Sequence, residues 1–148
     1  MYKHILLPVD GSELSLKAAR ETLKYAKSVG ARVTAIHVIA HGRLVIEEGL
    51  SGGIVRQLKK EYEETASTAA KEMLVKLQEQ AGKLGVKFDS VVVVGDHPHQ
   101  EIIEYAEKNG NDLIMMASHG RRALQSLLLG SETIKVLTHC KIPVLVVR

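Results

Sequence analysis

The chain has one cysteine, Cys140, so no disulfide can form within it and the fold must be held by its core. Aromatic residues make up 3% of the 148 positions, which leaves few platforms on which bases could stack. Lys and Arg number 20 against 17 Asp and Glu, a formal charge of +3 with the two signs interspersed. Both features argue against a nucleic-acid binder. No apolar run approaches the roughly 18 residues that cross a bilayer, and the opening Met1-Tyr2-Lys3-His4 leads into an apolar run without the marks of a signal peptide. Together with the lone thiol, these absences predict a cytoplasmic protein. The sequence also lacks a Gly-Lys-Ser/Thr phosphate loop, and it has no carboxylate cluster from which a metal site could be built.

What is present is an alternation of strand and helix patterns in a chain long enough for one domain with a real core, residues 1–148. Residues 4–9, His-Ile-Leu-Leu-Pro-Val, are apolar without strict alternation, as in a strand buried on both faces. Asp10-Gly11-Ser12 breaks the run, and Ser12 is a good helix cap. Leu14, Ala18, Ala19, Leu23 and Ala26 recur at helical spacing up to Gly30, and residues 32–39 read as a second strand. Residues 40–53 carry Gly42, Gly49, Gly52 and Gly53 and read as a long mobile loop, with Ser51-Gly52-Gly53 as a flexible hinge. A long helix follows, with a predicted apolar stripe of Ile54, Leu58, Tyr62, Ala66, Ala69, Met73, Leu77, Ala81 and Leu84. Val86–Val94, Leu113–Ala117 and Pro143–Val147 read as strands, His99–Lys108 and Ser131–His139 as helices. This order predicts an α/β fold with a parallel sheet, whose ligands bind beyond the carboxyl ends of the strands.

The chemistry concentrates in Ala117-Ser118-His119-Gly120, nine residues, then Gly130-Ser131. A glycine lets the backbone approach a ligand and adopts positive φ without strain. The outward N–H groups at the start of the following helix favour an anion. Ser131 adds a hydroxyl that could donate to a phosphate or cap the helix. Gly120 and Gly130-Ser131 could thus grip a polyphosphate from two sides, with Arg121 or Arg122 adding charge.

This segment, with "ILLPVDGS" at the start and "KVLTHCKIPVLVV" at the end, resembles the universal stress protein family over essentially the full length. The family's nucleotide motif is Gly, two residues, Gly, nine residues, Gly, then Ser or Thr; here its first glycine is Ala117. The resemblance implies a single-domain, three-layer α/β/α sandwich of the Rossmann-like kind, with strand order 3-2-1-4-5. It implies an ATP site: ribose hydroxyls on Asp10, the end of the first strand shaped by Pro8 and Val9, adenine against the backbone near Val38. Ribose or phosphate contacts would come from Met116 and Ala117 and from the turn and helix start at Ser118, His119, Gly120, Arg121, Gly130, Ser131, Glu132 and Thr133. Any Mg²⁺ would be held mostly by the phosphates and water. It further implies a homodimer through the edge strand 143–147. A lysine reaching the terminal phosphates, a positioned base and a metal carboxylate pair are all unassigned, so a nucleotide-gated regulator in a stress response, or at most a very slow ATPase, is expected. The rival is a nucleotide-free homodimeric interaction protein of the same fold, its site weakened by Ala117. His97-Pro98-His99 has no partner residues to complete a metal site, His119 reads as structural, and Cys140 as a half-buried thiol.

Overall fold

The computed structural model describes residues 1–41, 48–120 and 129–148. In chain order these form β1 (His4–Pro8), α1 (Glu13–Val29), β2 (Arg32–Ile39), α2 (Gly52–Leu84), β3 (Phe88–Val94), α3 (Pro98–Lys108), β4 (Leu113–Ala117), α4 (Ser131–His139) and β5 (Val144–Val147). The strands make one sheet in the order β3-β2-β1-β4-β5, every neighbouring pair parallel. The expected strand order is therefore the observed one.

Why β1 shows no alternation is visible in its packing. Ile5 and Leu7 enter the core under α1 and α2, while Leu6 enters the core under α3 and α4. A central strand covered on both faces needs apolar side chains at every position. Leu23 and Ala26 of α1 and Leu74, Leu77 and Ala81 of α2 fill the first layer; Ile102 and Ala106 of α3 and Val136 of α4 fill the second. The outer strands β3 and β5 are only partly buried, with Val94 and Leu145 exposed.

The helix ends follow local chemistry. The Ser12 hydroxyl accepts the Ser15 amide at 3.2 Å to start α1, and Gly30, at φ 68°, ends it. The glycines before α2 are a correction to the sequence reading. Ser51 is the cap of α2 and Gly52-Gly53 lie in its first turn, not in a hinge; a serine cap offsets part of the entropic cost of glycine in a helix. Residues 42–47 of the expected mobile loop lie outside the described residues. The stripe of α2 holds in part: Leu77 and Ala81 are buried and Leu58, Tyr62, Ala66, Met73 and Leu84 half-buried, but Ala70 and Leu74 join the buried face and Ile54 and Ala69 are exposed. β3 begins at Phe88 rather than Val86, and α3 begins at Pro98 rather than His99.

At the opposite pole from the ends of the strands, His4 staples β1 to β2. Its Nε2 lies 2.8 Å from Thr34 Oγ1 and its Nδ1 3.0 Å from the Arg32 guanidinium. A guanidinium can only donate, so Nδ1 accepts and Nε2 carries the proton. Burial, reinforced by the Arg32 charge, holds the His4 pKa below the usual histidine value. The folded chain thus resists a proton that the unfolded chain accepts, and stability is full above the ordinary histidine range and declines as pH falls through it. Chemical denaturation of wild type and His4→Gln between pH 7.5 and 5 should show the wild type losing more stability on acidification; parallel curves would exclude His4 as the source.

Candidate functional site

In a sheet of order β3-β2-β1-β4-β5, the crossover reverses between β1 and β4. The loops leaving those two strands diverge to opposite faces, which opens a crevice at their carboxyl ends. A cavity of about 250 Å³ lies there. Pro8, Val9 and Asp10 reach it from β1, Val38 from β2, Met116, Ala117, His119 and Gly120 from β4 and its turn, and Gly130, Ser131, Glu132 and Thr133 from the start of α4. Residues far apart in sequence are thus brought to one place. Ser118 is absent from the lining: it is buried, its amide donates to the Val147 carbonyl at 2.8 Å, and its hydroxyl lies 3.1 Å from His119 Nδ1. Arg121 and Arg122 lie outside the described residues.

The two glycines are needed for space, not for torsion. Among the described residues no non-glycine residue has positive φ, and neither Gly120 nor Gly130 has it. A Cβ at Gly120 would run into the Asp10 carboxylate; one at Gly130 would sit 2.9 Å from His119 Cα and 2.9 Å from its Cβ. The Gly130 amide donates to the Ser118 carbonyl at 2.7 Å, closing the turn upon itself. Thr133, buried behind, donates to the Ala117 carbonyl at 3.1 Å and ties α4 to the end of β4. Gly130, at φ −65° and ψ 152°, is the cap of α4 and gives it no side-chain cap; the expected cap by the Ser131 hydroxyl is not made, since Ser131 is the first residue of the helix.

The same observation settles the cost of Ala117. It ends β4 without positive φ, so its methyl meets no torsional penalty. If the cavity takes a nucleotide, Ala117→Gly should leave its affinity within about threefold while lowering stability by up to about 0.5–1 kcal/mol, the penalty of glycine relative to alanine in a strand. A large gain in affinity by calorimetry would show instead that the methyl obstructs the ligand.

Asp10 sits between two constraints. Its Oδ1 accepts the Ser12 amide at 2.9 Å, and its carboxylate packs against Gly120. Its own amide lies 3.4 Å from Ser15 Oγ. Among the described residues that line the cavity, none is a lysine or arginine. The donors available to an anion there are backbone amides, the Ser131 hydroxyl and the positive end of α4. No group of three or more His, Cys, Asp or Glu side chains among the described residues could hold a metal ion.

The sequence reading missed part of the lining. Ser15, Ile36, Pro98 and Ile102 also face the cavity; the apolar members carry no sequence signal that separates them from core. It also missed a link between α3 and α4. Glu132 Oε2 accepts the His99 amide at 2.9 Å and lies 3.0 Å from His99 Nδ1, while Oε1 accepts from Lys135 at 2.9 Å. Burial works to raise the Glu132 pKa, but the bonds from Lys135 and from the His99 amide and ring outweigh it and hold the carboxyl below its ordinary value. Cys140 follows α4, half-buried, its thiol pKa pushed up by burial, which makes it a poor nucleophile.

A model of the universal stress protein family matches residues 1–148. The chain belongs to the universal stress protein family. A universal stress protein of Methanocaldococcus jannaschii is 37% identical over 150 residues, covering 100% of this chain and 83% of that protein. A second from the same organism is 32% identical over 156 residues, covering 100% and 96%. A solved structure of that second protein superimposes with a TM-score of 0.86 at 33% identity, over 99% of this chain and 96% of that one. More distant universal stress proteins share the fold: one in complex with cAMP (TM-score 0.71, 21% identity, 99% and 97% coverage) and one from Archaeoglobus fulgidus in complex with dAMP (0.69, 19%, 99% and 98%).

Proposed function

We propose that this universal stress protein binds an adenine nucleotide, ATP foremost, in the cavity between the ends of β1 and β4. The observation that carries the reading is the paired glycine turn, in which Gly120 and Gly130 are kept bare by Asp10 and His119 respectively. A side chain there would fill the approach that a phosphate needs to reach main-chain amides. The cavity has room for a nucleoside, and its lining supports a reading in which Asp10 takes the ribose, the β2 end near Val38 the base, and Gly130 and Ser131 the phosphates. Complexes of two fold neighbours with cAMP and dAMP support an adenine ligand. Mg²⁺, when present, is held mostly by the phosphates and water, because no group of three or more acidic, His or Cys side chains among the described residues could hold it.

The protein acts as a regulator whose state is set by bound nucleotide, not as a catalyst, and it works in the cytoplasm. Among the described residues no helix is long and apolar enough to cross a membrane. It pairs as a homodimer through β5, an outer strand whose unpaired backbone needs cover. The test is direct. Protein purified without added nucleotide is denatured and the supernatant searched for adenine nucleotides by mass spectrometry, then ATP, ADP and AMP are titrated calorimetrically. Co-purified nucleotide or saturable binding supports the reading. An intact dimer that binds none of the three selects the nucleotide-free interaction protein, and turnover well above ~1 s⁻¹ selects an enzyme.

A further inference from the structure

The carboxylate of Glu132 is an oddity of the site. It follows Ser131 in the first turn of α4, where the helix dipole favours one negative charge. A phosphate at Gly130 and Ser131 would draw on the same field, so ligand and side chain compete for it. The carboxylate is turned aside by three donors: the His99 amide, the His99 ring and Lys135. Of the two side-chain donors the ring is the better held. It is largely buried, with a side-chain exposure of 12%, and it lies between the rings of His97 and His139, each with its centroid 6.2 Å away. α3 has its own use for the bond, because His97 supplies no side-chain cap and Glu132 receives the orphan amide from across the groove.

We propose that His99 is a positioning residue that sets the ligand charge this cavity accepts, by keeping the Glu132 carboxylate drawn toward α3 and away from the phosphates. The inference rests on the nucleotide reading and deepens it. Because Glu132 lines the cavity, a carboxylate released by His99 has the phosphate position within its reach. Its repulsion grows with the charge of the ligand and vanishes for an uncharged one. A purely structural cap would behave differently: its loss would loosen the groove for every ligand alike.

The experiment compares ATP, ADP, AMP and adenosine by calorimetry on four proteins: wild type, His99→Leu, Glu132→Gln and the double variant, each first checked for a cooperative thermal melt. In His99→Leu, ATP affinity is expected to fall at least tenfold, ADP and AMP by progressively less, and adenosine by less than twofold. Adding Glu132→Gln to His99→Leu should restore ATP to within about threefold of the Glu132→Gln variant alone, because the charge that His99 restrains is then absent from both. Equal losses for all four ligands, or an ATP loss that Glu132→Gln does not rescue, would overturn the role while leaving nucleotide binding intact. Wild type that binds none of the four overturns both readings. If His99→Leu melts without cooperativity, His99→Gln gives the same comparison with a smaller change in shape, and a flat response there also overturns the role.

Discussion

Replacing Gly130 with valine is expected to abolish measurable nucleotide binding, an affinity loss of at least 100-fold. A Cβ at this position would lie 2.9 Å from His119 Cα, a backbone atom that cannot rotate aside. The turn must open, and the bond from the Gly130 amide to the Ser118 carbonyl, 2.7 Å in the native protein, goes with it. The start of α4 then moves away from the cavity it lines. Overpacking of this kind costs about 1–3 kcal/mol, so the melting temperature should also fall by several degrees. Calorimetry at a temperature where the variant is still folded separates the two effects. Valine at 130 with affinity within threefold of wild type would refute the main-chain cradle.

The second large effect is expected at Asp10. Hydrogen bonds to a charged group contribute about 1.5–3 kcal/mol, so Asp10→Ala should weaken ATP by roughly 10- to 150-fold if the carboxylate accepts the ribose hydroxyls. Part of any loss could come from the Asp10–Ser12 turn, 2.9 Å from carboxylate to amide. A paired comparison isolates the ribose. Wild type should discriminate AMP from its 2′,3′-dideoxy analogue, and Asp10→Ala should bind the two alike. Discrimination that survives in the variant assigns ribose recognition to another group and removes Asp10 from the site.

These two residues also mark how far a sequence alone can be read. The order of elements was legible because each central strand buries both faces, as Ile5, Leu6 and Leu7 do, and so carries an uninterrupted apolar run. The glycine spacing was legible, but its reason was not. Positive φ is a local property that a sequence suggests, whereas the need for Gly120 comes from Asp10, a residue just beyond the end of β1 that only the folded chain brings into contact. The His99–Glu132 link was hidden for the same reason: the partners are 33 positions apart on two helices, with no shared periodicity. Gly52 and Gly53 misled in the other direction. Glycine pairs commonly mark turns, yet the Ser51 cap and a 33-residue helix behind it outweigh their local preference. The stripe of α2 was legible through Leu77 and Ala81 but not at Ala69, because small alanines populate both its sides and periodicity alone did not decide whether Ala69 or Ala70 turns inward.

That helix is longer than the sheet it covers. At ~1.5 Å per residue its 33 residues reach about 50 Å, against roughly 26 Å for the eight-residue β2. Its buried positions, Ala70 to Ala81, all fall in the second half, and Glu63 is tied to His41 near the middle. The turns before Tyr62 and Glu63, which bond to Ala40 and His41, therefore lack the buried contacts that hold the second half. Amide exchange along α2 should accordingly slow from the free end toward Ala81 in a gradient, not in a single step.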